Sequence, residues 1–390
     1  MNCLIKPKKY GLALLTFWLI GIYSSSYSQK SYSSSEDTLP YFNAERLFDG
    51  ERFPNIVVST KGTLIATFGN NNYKVRRSRD GGKTWEGEIF VGNPGFSGGG
   101  VTVDENTGDI LAFTEDGHPP SPLRMWRSED DGKTWTEEGI TIYPDELGNI
   151  PALHMNEHGI TLQFGPHKGR LIRPTRVYAG GNATEFWDQH YTNAIYSDDG
   201  GKTWFSSAPF PVFGTGEACL EQLSNGRIYY NSRRHKSTDG LDPRWRYIGW
   251  SDDGGQTWTD IEVSDVLPDG NQYSDYGLMA GLTRIAGDEK DILLFSNIDI
   301  PKEKDKEDLD FSERWAERSN GTVWLSLDGG KTWPYKKTID HSGFGYSSIV
   351  AGRPGTPTEG YIYLLYEKIE NGQYIGGNIA KFNLDWLMEK

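Results

Sequence analysis

Three arginines have the residue type and placement to hold an anion: Arg52 ahead of Pro54, Arg233 in Asn231-Ser232-Arg233, and Arg318 in Glu317-Arg318-Ser319-Asn320. Each is expected to begin or end a strand in a different structural unit. Guanidiniums brought together repel one another unless an anion sits among them. The natural guest is a carboxylate, which the guanidinium fork binds bidentately. Taken singly, each arginine reads as a surface or ion-paired residue; the set of three is what points to a carboxylate. Tyr346, in Gly345-Tyr346-Ser347-Ser348, and Glu217, in Gly216-Glu217-Ala218, form a second candidate pair. A phenol, with a pKa of about 10, is a weak nucleophile near neutral pH. A neighbouring carboxylate can take its proton as attack begins. A neutral phenol suits a reacting carbon that itself bears a carboxylate, because a charged Asp or Glu nucleophile would be repelled. Among 21 tyrosines, the competing role for Tyr346 alone is an ordinary pocket or core aromatic.

These residues need a scaffold, and a repeat supplies it. Ser-x-Asp-x-Gly-x-Thr-Trp occurs five times, at Ser78 to Trp85, Ser128 to Trp135, Ser197 to Trp204, Ser251 to Trp258 and Ser326 to Trp333. Between successive aspartates (Asp80, Asp130, Asp199, Asp253, Asp328) the steps are 50, 69, 54 and 75 residues. Such a period indicates a solenoid, a propeller or an array. The motif reads as a self-buckled hairpin turn. Gly accepts positive φ, Asp bonds its own backbone, and Ser and Thr satisfy further backbone groups. The boxes are therefore read as structural fasteners, with the Trp plugged against the layer beneath.

Strand-like text leads into each box. The first unit has Ile56 to Val58, Thr63 to Thr67 and Tyr73 to Arg77; four further units repeat the pattern, and a sixth lacks a box. Six units of three or four strands predict an all-β, six-bladed β-propeller over residues 39–390. The strand near Leu39 to Phe48 is expected to complete the last blade and leave only short protected edges. Helix is nearly absent apart from a terminal turn at Leu384 to Glu389. The charged stretch Pro301 to Arg318 reads as a solvated surface loop or short helix.

The totals agree. The 390 residues, 47 Gly and 13 Trp suit one large all-β domain. A net charge of −14 argues against a nucleic-acid partner, which needs a basic face. It leaves room for a locally basic pocket and an acidic substrate. Residues 1–28 read as a secretory signal: lysines, an apolar run from Gly11 to Tyr23, then small residues. The run is too short for a convincing spanning helix, so no stable membrane insertion is expected after cleavage. Residues 29–38 read as a polar, Ser-rich lead-in. Localisation is therefore expected to be secreted or periplasmic. The mature chain keeps only Cys219, which permits no internal disulfide and reads as a buried small hydrophobe. No Cys/His metal spacing and no Gly-rich phosphate loop occurs, so no metal or cofactor is expected.

The five boxes, Arg52-Phe53-Pro54, Asn231-Ser232-Arg233, Gly345-Tyr346-Ser347, Leu364-Leu365-Tyr366-Glu367 and Phe382 to Leu387 together resemble the exo-sialidases (neuraminidases). The resemblance runs from about Arg52 to Leu387. The boxes carry little of it, because unrelated secreted propellers have them; the ordered set of Arg, Glu, Arg, Arg and Tyr is the specific part. It implies a secreted, exo-acting, retaining glycosidase that removes a terminal acidic sugar, with sialic acid favoured. Arg52, Arg233 and Arg318 would grip the sugar carboxylate. Tyr346 would be the nucleophile, as in the sialidase exception to the paired-carboxylate scheme, and Glu217 its partner. Glu367 would orient Arg52 through a salt bridge. One departure stands out. The family carries an Asp acid/base on a first-blade loop, and here that stretch is Phe68-Gly69-Asn70-Asn71-Asn72-Tyr73-Lys74, short and without Asp or Glu. Substitutes on the neighbouring blade are Asp116 and His118; Asp188 and His190 are a weaker pair. The departure keeps two other readings open: a sialidase-fold enzyme acting on another acidic sugar, such as a uronic acid in a polysaccharide, and a non-catalytic propeller that binds acidic glycans.

Overall fold

Short, largely apolar runs between Gly-rich turns make strands of nearly every ordered element. The computed structural model describes residues 39–92, 95–236, 245–269, 277–285, 290–299 and 318–389. The expected leader, the lead-in and the charged insertion up to residue 317 lie outside the described residues. Among the described residues the helical elements are a single 3-10 turn, Thr184–Phe186, and a terminal helix, Leu384–Met388. No helix among them is long and apolar enough to cross a membrane.

The strands form five hydrogen-bonded sheets. The first is Asn55–Val58, Leu64–Phe68, Tyr73–Ser78 and Ile89–Gly92, in sequence order. The next two have five strands each, and the fourth contains Ala218–Gln222, Ile228–Ser232, Trp245–Ser251 and Thr259–Pro268. The last has seven strands, where the sequence suggested two separate units. The cause is Tyr335–Ala351, which runs unbroken for 17 residues. Its first half pairs with Ser319–Ser326 and its second half with Ile362–Glu370. A register shift between Phe344 and Ser347 marks the join, and Tyr346 lies within it.

The strand expected near Leu39 to Phe48 is present, within the last sheet. Phe42–Asp49 pairs antiparallel with Gln373–Phe382, so the start of the described chain is fastened to its end. Asn383 strengthens that fastening: its side-chain oxygen accepts from Tyr41 N at 2.9 Å and caps the terminal helix through Trp386 N at 3.0 Å.

The five Ser-x-Asp-x-Gly-x-Thr-Trp stretches fold alike. In the first, Ser78 Oγ donates to Asp80 Oδ1 at 2.9 Å, and Asp80 Oδ1 accepts Thr84 N at 2.9 Å. The equivalent pair of bonds recurs in the other four. The second copy has Asp131 where the others have Gly, at φ 68°. A side chain there is strained, but Asp131 accepts from Thr63 Oγ1 at 2.5 Å and from Arg77 Nε, through its carbonyl, at 2.9 Å. The local cost is offset by links to the preceding sheet.

Contacts between strands of different sheets place the site. Asn55–Val58 lies against Tyr335–Ala351 and Thr102–Val103; Thr102–Val103 lies against Ile160–Thr161. Ala218–Gln222 lies between Leu171–Val177 and Gly281–Ile285, which in turn lies against Tyr335–Ala351. Arg52 and Glu217 sit just before two of these strands, and Tyr346 sits within a third. Cys219 is fully buried in the inner layer.

Candidate active site

Glu217 and Arg233 are neighbours because of strand register. Ala218 pairs with Ser232, so the residues just beyond face each other; Gly216 N donates to Arg233 O at 3.1 Å and Arg233 N to Glu217 O at 2.9 Å. Their side chains lie on one face and form a buried ion pair through Arg233 Nη1 and Glu217 Oε2. The other oxygen of Glu217 accepts from Tyr346 Oη at 3.1 Å. Tyr346 Oη also lies 3.5 Å from Arg233 Nη1 and 3.4 Å from Met155 Sδ.

Glu367 organises the opposite side. It is fully buried on Ile362–Glu370. Its Oε1 accepts from Arg52 Nε at 3.0 Å and Phe53 N at 3.1 Å; its Oε2 accepts from Arg52 Nη2 at 3.3 Å and Tyr346 N at 3.0 Å. One carboxylate thus aims the Arg52 fork and fixes the backbone of Tyr346. It also helps hold Phe53 at φ 61°, a conformation that is strained for a bulky residue. Arg318 is set by its own backbone, since Phe344 N donates to Arg318 O at 2.8 Å. Its Nη1 donates to Tyr374 Oη at 2.7 Å, and the Tyr374 ring lies 3.7 Å beneath the Arg52 guanidinium. The guanidinium carbons of Arg52 and Arg318 are 5.6 and 5.4 Å from the Tyr346 ring centre.

The structure therefore brings Arg52, Arg233, Arg318, Tyr346, Glu217 and Glu367 together. Burial alone would raise the pKa of Glu217, but Arg233 and Arg176 outweigh it and hold the group at about 2. Burial, and then the Glu217 charge, push the Tyr346 phenol above its ordinary value, against the pull of the arginines. The resting pair is a neutral phenol hydrogen-bonded to a carboxylate. Arg176, Met155 and Tyr374 complete the group and were not singled out in the sequence. Arg176 is 98 % buried, with Nη1 at 4.0 Å from Glu217 Oε1. With it, four guanidiniums lie near Glu217 and Glu367 among the described residues, and the buried Asp269 also acts on Arg233.

The substitutes for the missing acid are placed differently from one another. Asp116 is exposed and paired with Arg124 at 3.2 Å. His118 is only partly exposed, its ring 5.3 Å from that of His154 and 5.9 Å from that of Tyr178. Burial, despite a hydrogen bond with Pro119 O, and then Arg176 lower its pKa. His190 is buried, accepts from Arg176 Nη2 at 2.7 Å and is held at about 4, by burial first and Arg176 second. Asp188 is exposed. The turn from Phe68 to Tyr73 is closed tightly: a Cβ on Gly69 would meet Asn72 O at 2.1 Å. The nearby Glu51 accepts from Asn70 N at 3.1 Å and pairs with Lys74 at 3.1 Å.

Comparison with known proteins fits this geometry. The model of the BNR repeat-like domain matches residues 69–363. A sialidase of Micromonospora viridifaciens is 30 % identical over 381 residues, covering 88 % of this chain and 53 % of that protein. A sialidase of Bacteroides fragilis (strain YCH46) is 25 % identical over 343 residues, covering 76 % of this chain and 57 % of that protein. The chain thus spans about half the length of these curated relatives. Among solved structures, the Hadza microbial sialidase Hz136 superposes with a TM-score of 0.62 at 25 % identity, covering 87 % of this chain and 66 % of the other. The chain belongs to the BNR repeat-like domain family, within the sialidase superfamily.

Proposed function

We propose that this chain is an exported, exo-acting glycoside hydrolase of the sialidase type that removes a terminal acidic sugar, with sialic acid favoured, by a retaining mechanism. The observation that carries the reading is the hydrogen bond from Tyr346 Oη to Glu217, enclosed by Arg52, Arg233 and Arg318. The scaffold is read as a six-bladed ring with five box turns, the seven-stranded sheet counting as two blades that share Tyr335–Ala351. The contact of Asn55–Val58 with Tyr335–Ala351 supports that reading.

In the proposed reaction the three guanidiniums bind the sugar carboxylate. Tyr346 Oη bonds to the anomeric carbon while the bond to the leaving oxygen breaks, and Glu217 takes the phenol proton. Arg233, engaged by the substrate carboxylate, pulls less strongly on Glu217, which becomes more basic when the substrate is bound. Water then displaces the tyrosine, giving overall retention. Glu367 acts as a positioning residue for Arg52. Protonation of the leaving oxygen falls to a group on the neighbouring blade, Asp116 or His118.

The tight, carboxylate-free turn at Phe68 to Tyr73 favours a second reading, in which the same site acts on another acidic sugar such as a uronic acid. A propeller that binds acidic glycans without cleaving them is the third. The deciding experiment is release of a fluorescent leaving group from an aryl sialoside by the mature chain, with Tyr346→Phe beside it. An activated leaving group needs little protonation, so the assay does not depend on the acid. Turnover that disappears in Tyr346→Phe supports the proposal; equal rates in both proteins overturn the tyrosine mechanism. No turnover in either removes the sialic acid reading and directs the search to uronic-acid glycans.

A further inference from the structure

Arg176 does more than face Glu217. Its Nη2 lies 2.7 Å from His190 Nδ1 and 3.0 Å from His235 Nδ1. A guanidinium has donors and no acceptor, so both Nδ1 atoms must accept. Each imidazole is then neutral and carries its proton on Nε2. For His190 that proton has a destination, Gly181 O at 2.7 Å. The Nε2–H of His235 has no partner among the described residues. Burial, followed by Arg233 and Arg176, keeps the His235 pKa well below its ordinary value. His190 and Lys236 also face it and act in the same direction.

The position of His235 is as telling as its tautomer. Gly216 precedes Glu217, and a Cβ there would lie 3.2 Å from His235 Cβ and 3.3 Å from Arg233 Cδ. His235 and Arg233 therefore run side by side over a glycine, on the face that carries Glu217. The other side of the His235 ring packs on Trp187, with centroids 4.5 Å apart and planes 34° apart. The ring is fixed by a cation at one nitrogen and an indole at its face, and presents a neutral donor at the other nitrogen.

We infer that His235, locked as a donor by Arg176 and backed by Trp187, recognises a hydroxyl oxygen of the acidic sugar bound beside Glu217. The inference rests on the acidic-sugar reading and adds a polar contact outside the arginine triad. It makes the site selective for a sugar that offers an acceptor at this wall over one that is deoxygenated there.

Nitrogen-15 NMR of the histidine rings, with N-acetylneuraminic acid and galacturonic acid as probes, tests it. The expected result is a neutral Nε2–H tautomer of His235 at pH 7 whose Nε2 resonance moves as either acid binds. His235→Phe keeps the packing on Trp187 and should weaken that acid about three- to tenfold, the worth of one neutral hydrogen bond. His235→Gln can accept from Arg176 and donate to the sugar, and should restore most of the affinity. An Nδ1–H tautomer, or unchanged affinity in His235→Phe, overturns the inference. If Arg318→Ala then still weakens binding, only the role of His235 falls. If neither acid binds, or Arg318→Ala has no effect, the acidic-sugar reading falls with it.

Discussion

The box turns and the tyrosine site use the same kinds of polar group in opposite ways. In a box, Asp80 bonds residues two to four positions away, all near solvent. In the site, Tyr346 bonds Glu217 across 129 residues in the interior, and the half-buried Arg52 bonds the fully buried Glu367 across 315. The box is a local device that any copy of the sequence can form. The site exists only once distant strands have docked. Local bonds near water contribute modestly to stability, whereas interior charge pairs are costly to break because a lone buried charge remains.

The contrast can be tested at its widest point first. Tyr346→Phe should lower kcat/KM on an aryl sialoside on the order of a thousandfold or more while leaving Tm nearly unchanged; a matching collapse in Tm would make Tyr346 a packing residue. Glu367→Ala comes next. It removes the carboxylate that aims Arg52 and that accepts from the strained Phe53 amide, and should cost about 3 kcal/mol of stability, read by urea unfolding. A loss no larger than that of a box aspartate would erase the distinction between the two regions.

Two buried glutamates give opposite pH signatures. Glu217 is held at about 2 against an ordinary 4.5, so the folded state releases its proton more readily than the unfolded state does. Its contribution is present above pH 4.5 and is lost as pH falls towards 2. Glu115, raised by burial to about 8, behaves in reverse: the folded state keeps a proton that the unfolded chain has lost, so stability declines as pH rises from 4.5 to 8. Glu115→Gln should lessen that decline in a series of thermal melts, and an unchanged slope would remove Glu115 as a source of it. The smallest effect belongs to the boxes. Asp80→Ala should cost about 1 kcal/mol with kcat/KM unchanged, because four equivalent turns remain and none touches Tyr346.

Much of the fold was legible because the strands and turns are local. The run from Thr63 to Thr67 is a short apolar stretch, buried throughout, and Asp80 with Gly81 and Gly82 demands one turn. The merging of two expected units into one sheet was not legible: Gly343 and Gly345 look like a break, yet the structure passes through them with a register shift at Tyr346. Within the site, Arg52, Arg233, Arg318, Tyr346, Glu217 and Glu367 stood out through motif context. Arg176 lay unremarked inside Leu171–Val177, because a buried arginine in a strand carries no sign of which histidines will meet it. A signal did exist: an ionised side chain in an otherwise core-like strand requires partners.

The sequence by itself determined the all-β character, the repeated turns and the inventory of groups able to bind a carboxylate and attack a sugar, because each depends on residue type or short spacing. Only the tertiary structure decided which groups act together. Glu217 meets Arg233 through hairpin register, Tyr346 is fixed by Glu367 from the neighbouring strand, and the tautomer of His235 is set by an arginine 59 residues away. The physical reason is range: turns close through bonds between chain neighbours, while the charge and proton state of an interior group depend on every residue that folding packs around it.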